Sequence, residues 1–335
     1  MAARIPLIPV DGVEVLTVVD NVTDLLLPST PVAKRLGAIG AGAQRTPPVE
    51  APLVESGRAA EAPLAEHGLA LLVSVTRGAS SRTVLLDTGS SVEGLVHNLD
   101  LMGVDPGEIE TIVLSHGHFD HTMGLNGLAK RCKPPPALVV HPDAWLRRRV
   151  VLPGREPFEL PTTSRDKVLA AGFPVIEERQ PSSLLDGCLL VTGEIERTTD
   201  FERGFVLHQA FRDGEWQPDP LIRDDQALVI HVRGRGLVVM TGCGHAGIVN
   251  TVRYARELTG VDRVYAVIGG FHLGSPLHEP VIAPTVEALV ELAPQVIAPT
   301  HCTGWRASHA LAAAFPDAFV PGSVGTRYVL RSEEG

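Results

Sequence analysis

The apolar positions of this chain fall mostly in short, β-branched runs bounded by Gly, Pro, Asp and Asn. Such runs read as strands, and the pattern predicts them at 13–19, 69–76, 83–87, 111–114, 137–140, 227–231, 237–241, 264–268 and 296–298. Stretches with apolar residues three or four apart predict helices over 92–102, 123–130, 142–149, 248–258, 280–292 and 303–315. The early strands come in hairpins. The short turn 77–82 makes 69–76 and 83–87 an expected antiparallel pair. The later strands alternate with helices. That mixture points to stacked sheets with helices outside, not to one parallel sheet.

Two stretches break the pattern. Segment 37–64 is rich in Gly, Ala and Pro without a steady period, and 152–220 carries runs of Pro, Asp, Glu and Arg with only short strand candidates such as 189–191. Long irregular loops in a compact chain are either mobile or lids over a site. Neither stretch shows a linker followed by a new core, so 1–335 reads as a single domain with irregular insertions at about 37–64 and 152–220. A chain of 335 residues buries roughly three quarters of its unfolded surface and needs no disulfides to fold. Its four cysteines, none in a C-x-x-C pair, make no disulfide framework.

Charge narrows the function. With 29 Lys+Arg against 39 Asp+Glu the net charge is -10, which argues against nucleic acid and anionic membranes as partners. There is no signal-peptide pattern and no apolar run long enough to span a bilayer, so a soluble cytoplasmic protein acting on a small molecule is expected. The 13 histidines are what folding alone does not explain.

Positions 116–121 concentrate that excess. His116, His118, Asp120 and His121 lie in the run Ser115-His116-Gly117-His118-Phe119-Asp120-His121, directly after the apolar stretch 111–114 and before a helix start. Nitrogen and oxygen donors this dense suit Zn²⁺ and, less selectively, Fe or Mn. A tight turn there directs His116 and His118 to one ion and lets Asp120 and His121 face a second. A solvated His-rich turn is the plainer alternative, disfavoured by the strand–motif–helix context. Further ligands are expected from later strand ends, where distant segments converge. Three candidates stand there: His245 in Thr241-Gly242-Cys243-Gly244-His245, His272 in Gly269-Gly270-Phe271-His272, and His301 in Pro299-Thr300-His301-Cys302. Each alone would more often be a packed histidine; three in series favour ligands.

These motifs, with Val19-Asp20-Asn21, Glu66-His67-Gly68-Leu69, Leu86-Asp87-Thr88-Gly89 and the continuation Ala246-Gly247-Ile248-Val249-Asn250-Thr251, run over nearly the whole chain. Together they resemble the metallo-β-lactamase superfamily, mostly metal-dependent hydrolases, and within it the dihydropterin-linked branch, whose namesake condenses a dihydropterin with ribofuranosylaminobenzene phosphate. The resemblance implies an α/β fold, a four-layer αβ/βα sandwich with the site at the edge between the sheets. It implies one metal on His116, His118 and His245 and a second on Asp120, His121 and His301. One departure stands out. Many binuclear members carry a bridging Asp after the strand that here ends in His272, and the only Asp between His245 and His301 is Asp262, at the opposite end of that strand. His272 is therefore expected to ligate the second metal or, preferably, to serve substrate, and two equally tight metals are not expected.

The family's Asp-Thr-Gly puts Asp87 at the metal edge, as a carboxylate orienting a ligand histidine, and the hairpin then brings Glu66 and His67 to the same edge. A turn-forming Asp87 and a functionless His67 are the alternatives. Cys243 and Cys302 read as small buried thiols rather than soft ligands. His208 and Asp224-Asp225 are candidates for the substrate pocket, and Arg147-Arg148-Arg149 reads as one exposed face of helix 142–149. The reaction expected is hydrolysis of an ester, lactone or phosphoester by metal-activated water, with Zn²⁺ as the ion, one or two per chain, and Asp120 holding the second metal or acting as base. The alternatives are a pterin-dependent transferase, an oxidoreductase with iron in the same cage, and a ligand-binding or regulatory protein that turns over little. A nuclease does not suit the charge.

Overall fold

The computed structural model describes residues 4–37 and 46–333. Among them, two large sheets form the frame. One has eight strands, including Gly12–Val19, Ala70–Arg77, Ser80–Leu86, Thr111–Val113 and Ala137–Val140; the other has six, including Ala227–Val232, Gly236–Thr241, Val264–Gly270 and Val296–Thr300. Period-two alternation splits each strand between two cores. In Ala70–Arg77, Leu71, Val73 and Val75 face the other sheet, while Ala70 and Leu72 face outward. In Gly236–Thr241, Val238 and Met240 point inward and Leu237 and Val239 outward.

Three apolar clusters follow. One fills the space between the sheets. A second lies under helices Ile248–Thr259, Glu279–Leu292 and Trp305–Ala314, which cover the six-stranded sheet. A third lies under Gly94–Leu101 and Leu125–Arg131, which cover the eight-stranded sheet. Helix, sheet, sheet, helix is the four-layer sandwich the motifs imply. The hairpin Ala70–Arg77 with Ser80–Leu86 is antiparallel, as expected.

What places the site is strand direction. Ser80–Leu86, Thr111–Val113 and Ala137–Val140 run parallel, and so do Gly236–Thr241, Val264–Gly270 and Val296–Thr300. Parallel neighbours end on the same edge, so the segments after each of them, carrying Asp87, His116 to His121, Cys243 to His245, His272 and His301, meet at one edge of the sandwich.

Three expectations need correction. No helix spans 142–149. A 3₁₀ turn, Pro142–Trp145, is followed by the strand Arg148–Val150. The strand wins because it pairs with both His208–Arg212 and Phe158–Glu159 and buries Arg148, which is only 2% exposed and so is not on an exposed face. The stretch 152–220 is not irregular. It supplies most of a third, four-stranded sheet, together with helix Arg165–Ala170 and strands that extend both main sheets. Its strands are too short to show a period. Segment 37–64 contains, in its described part, the exposed hairpin Pro48–Glu50 with Arg58–Ala60; positions 38–45 lie outside the described residues. The strand Arg327–Arg331 is additional to those expected and pairs with Gly12–Val19. Among the described residues no helix is long and apolar enough to cross a membrane.

Leu71 is fully buried in the cluster between the sheets. Truncating it leaves a cavity that both sheets hold open, so Leu71→Ala is expected to cost about 2–5 kcal/mol. Urea unfolding of the variant should show a lower midpoint at an unchanged slope.

Candidate metal centre

The loop after Thr111–Val113 is forced tight before any metal is considered. A Cβ at Gly117 would lie 2.0 Å from the Ala144 carbonyl oxygen, so only glycine lets the chain pass there. The Gly117 N–H donates to Asp224 Oδ2 at 2.8 Å. The turn then enters a short helix, Phe119–Thr122, with Asp120 and His121 in it. Asp87, His272 and His301 all sit in the left-handed region, with φ of 61°, 48° and 49°. Strained residues of this kind, each costing about 1–3 kcal/mol, concentrate where function requires the geometry.

Hydrogen bonds fix the histidine tautomers. Asp87 Oδ1 accepts from the Ser115 N–H, and Asp87 Oδ2 accepts from Ser115 Oγ and from His121 Nδ1, each at 2.7 Å. Ser115 Oγ, having donated, accepts from His116 Nδ1 at 2.9 Å. His301 Nδ1 donates to Asn21 Oδ1 at 2.9 Å. His118 Nε2 donates to His208 Nε2 at 2.9 Å, and His208 Nδ1 donates toward Asp219. In every case a proton is on the outward nitrogen, so the inward nitrogens, His116 Nε2, His118 Nδ1, His121 Nε2 and His301 Nε2, are the ones that face the centre.

Those nitrogens converge in two adjoining sets. His116 Nε2 and His118 Nδ1 are 3.0 Å apart with no hydrogen to place between them. The His245 ring lies 4.7 and 4.9 Å from theirs, and both of its nitrogens are buried without a partner. In the second set, Asp120 Oδ2 is 3.4 Å from His301 Nε2 and 3.7 Å from His121 Nε2. Cys243 Sγ is 3.2 Å from His121 Nε2 and 3.4 Å from His301 Nε2. The neutral rings of the first set crowd one another with no proton to share, and this mixture of imidazole, carboxylate and thiol suits a first-row metal. The residues therefore fit the ion that the fold implies.

Electrostatics agree. Burial, reinforced by neighbouring histidines and, for His116 and His118, by Arg148, holds His116, His118 and His245 well below the usual imidazole range, so they are neutral donors. Burial also opposes charge on His121, but Asp87 and Asp120 outweigh it and push its pKa up to about 9. A proton there stands in for positive charge that the two carboxylates demand. Asp120 is held well below the carboxylate range: burial raises it, and His121 and His301 together more than compensate. Burial pushes the Cys243 thiol up.

The remaining candidates divide. His67 stands at the rim, 68% exposed in its side chain, with Nε2 3.7 Å from Asp120 Oδ2. Glu66 shares the edge but turns away from the centre, accepting the backbone N–H groups of Ser90 and Ser91. The His272 ring lies 4.1 Å from that of His245, tilted, and 5.0 Å from that of His278, edge-on, and its donor groups with Cys243 and Cys302. It lines a cavity of about 240 Å³ walled by Phe201, Phe205, Phe271 and Leu277. Asp224 and Asp225 do not line that cavity; both are buried in the scaffold, Asp225 accepting from the Ala246 N–H with its pKa raised by burial to about 7. Arg148 explains Asp224: its guanidinium pairs with Asp224 and Asp219 in the interior. The sequence pattern points to neither Ser115 nor Arg148 as a partner of the site. Ser115 is signalled only by adjoining the motif, and Arg148 by nothing.

The sequence profile of the Metallo-beta-lactamase superfamily matches residues 68–257, more than half of the chain. The chain belongs to the metallo-β-lactamase superfamily. It is 31% identical over 261 residues, 76% of its own length and 86% of the relative's, to the 7,8-dihydropterin-6-methyl-4-(beta-D-ribofuranosyl)-aminobenzene-5'-phosphate synthase of Methanocaldococcus jannaschii. It is 29% identical over 265 residues to the uncharacterized protein MJ0448 of the same organism, covering 78% of this chain and 92% of that one. Among solved structures, Tm1679, described as a metal-dependent hydrolase of the β-lactamase superfamily, superposes with a TM-score of 0.68 at 22% identity, over 96% of this chain and 100% of that one, which fixes the shared fold.

Two outcomes are expected of variants near this centre. Asp87→Ala removes the acceptor that sets His121 and, through Ser115, His116; metal affinity should fall roughly 10–100-fold with the circular dichroism unchanged. Chelator competition reads that shift. Arg148→Ala strands two buried carboxylates, Asp219 and Asp224, and should destabilise the fold by about 3–5 kcal/mol, visible as a lower midpoint in urea.

Proposed function

We propose that the chain, as one domain over 1–335, is a metal-dependent enzyme that hydrolyses a small ester, lactone or phosphoester. The observation that carries this reading is the buried set His116, His118 and His245, neutral rings whose inward nitrogens face one another with no proton to share. His116, His118 and His245 would hold one ion and Asp120, His121 and His301 a second, with Zn²⁺ the best match to the donors and Fe or Mn accepted by the same residues. Bound there, such an ion supplies a water of lowered pKa and polarises the oxygen under attack.

The chain's own residues do the rest. Asp120, anionic between His121 and His301, is placed to orient a water molecule at the edge or to take its proton. His272 lines the cavity with Nδ1 unpartnered, in reach of a substrate, and stands beside Cys243 and Cys302. Phe201, Phe205 and Phe271 wall that cavity, so an apolar or flat group is its natural occupant.

A second reading is a transferase that joins a pterin-like electrophile to an acceptor. The 31% identity to a dihydropterin-linked synthase and the aromatic cavity wall both favour it. There, shielding by Phe205 and Phe271 would keep water from the reacting carbon.

The test is metal analysis of the purified protein beside a panel of esters, lactones, phosphodiesters and dihydropterins with aromatic amine acceptors. Hydrolysis of a panel member supports the first reading, and pterin-dependent product the second. Metal-dependent ligand binding without turnover would overturn both in favour of a binding protein. His116→Ala and His118→Ala are each expected to lose most of the ion bound with His245 and to melt at a lower temperature than the metal-loaded parent, since a ligand of the folded state stabilises it by mass action. Full metal content in both variants would remove the assignment.

A further inference from the structure

Among the described residues only one carboxylate, Asp120, belongs to the donor sets of the centre; the other donors are imidazoles and the sulfurs of Cys243 and, in a third set with His272, Cys302. Two cations held side by side repel strongly in a buried site unless negative charge lies between them. Asp87 cannot supply it, because both of its oxygens are already engaged by Ser115 and His121 on the outer side. The sulfur is where that charge is needed. Cys243 Sγ falls within 4.8 Å of the donor atoms of Asp120, His121 and His301, and also within 4.8 Å of those of His116 and His245. Among the described residues no other donor belongs to both of these sets.

The local chain explains why the sulfur is there. A Cβ at Gly242 would lie 2.0 Å from Ser115 Oγ and 2.5 Å from Asp87 Oδ2, so the chain after Gly236–Thr241 is pressed against the pair that orients His116 and His121. Gly244 then takes a φ of 70°, and Cys243 and His245 both turn into the centre. Cys302 Sγ donates to the Cys243 carbonyl oxygen and groups with Cys243 and His272, but belongs to neither of these two sets. His245, only 5% exposed with neither nitrogen partnered, independently marks this spot as built for a ligand.

We propose that Cys243 is a metal ligand, its thiolate lying between the two histidine sets and supplying the negative charge shared by both ions. On binding, the thiol proton leaves to solvent and the sulfur lone pairs bond the metal; nothing is oxidised or reduced. The inference rests on the metal-dependent reading above and adds to it the ligand that joins the two sites.

Cobalt(II) tests it without any substrate. Protein loaded with two equivalents of Co²⁺ should show the intense near-ultraviolet sulfur-to-cobalt charge-transfer band. The band should persist in Cys302→Ser and vanish in Cys243→Ser. In Cys243→Ser, competition with a chelator should show the weaker-held equivalent losing more than the roughly 10–100-fold that follows loss of an outer partner. Cys243→Asp should restore two bound equivalents without the band. A parent protein that binds two equivalents and shows no sulfur band, or a band that survives Cys243→Ser, overturns the proposal while leaving a metal enzyme. Failure of the parent to bind cobalt at all would overturn the metal-dependent reading itself. The parent spectrum decides even if a variant fails to fold.

Discussion

The centre depends on one buried carboxylate. Asp87 accepts three hydrogen bonds, two from Ser115 and one from His121. Through Ser115 Oγ it also reaches His116. One anion therefore fixes the outward, proton-bearing nitrogen on a histidine of each set, and so decides which nitrogen faces the centre. Burying it unpaired would cost several kcal/mol, so the fold surrounds it with donors and the donors become the site. That it sits at a positive φ, where a β-strand would not leave it, shows the backbone yielding to this arrangement.

A second support comes from the other side of the molecule. The four-stranded sheet carries His208 on His208–Arg212 and Arg148 on Arg148–Val150, paired in register through His208 and Val150. His208 accepts the outward proton of His118, while Arg148 holds Asp224, which in turn holds the Gly117 N–H. The tight turn of the motif is thus gripped twice by a segment that is remote in sequence. A buried Arg with two carboxylates is poor evidence of stability, since desolvation offsets most of the attraction. Its effect here is positional: it holds Asp224 under the Gly117 N–H and Asp219 beside His208, which in turn fixes the His118 imidazole.

The sandwich was legible in the chain because it rests on alternation. Strands such as Gly12–Val19 and Gly236–Thr241 put every second residue into the shared core, and that period survives in the sequence. The histidine motifs were legible for a different reason, since glycines and strand ends mark where a side chain can leave a sheet edge. Arg148 was not legible. Three consecutive arginines look solvated in any local reading, and only Asp219 and Asp224, far along the chain, make the middle one buried. The strands between 152 and 220 escape for the same reason. They run to five residues or fewer, and their pairing partners, not their own period, hold them extended.

The cavity and the centre share one wall, and this restricts the chemistry more than either does alone. His272 touches both, its ring tilted against His245 and lining the pocket with Phe205 and His278. Burial, with His272 beside it, lowers His278 to a pKa of about 4, so that ring is neutral near pH 7. A phosphate bound deep in this pocket would meet phenylalanines, the imidazoles of His245, His272 and His278, and the Glu202 side chain, with Arg203 on the exposed rim as the one guanidinium of the described lining. An anionic group is therefore better placed at the metal edge or the rim, and an uncharged or aromatic portion inside. A substrate that presents its reacting bond to the centre must then enter with its polar end at the histidines and its flat or apolar end against Phe201 and Phe271. Under either reaction proposed above, that orientation suits a lactone or ester with an apolar tail and a bicyclic heterocycle equally.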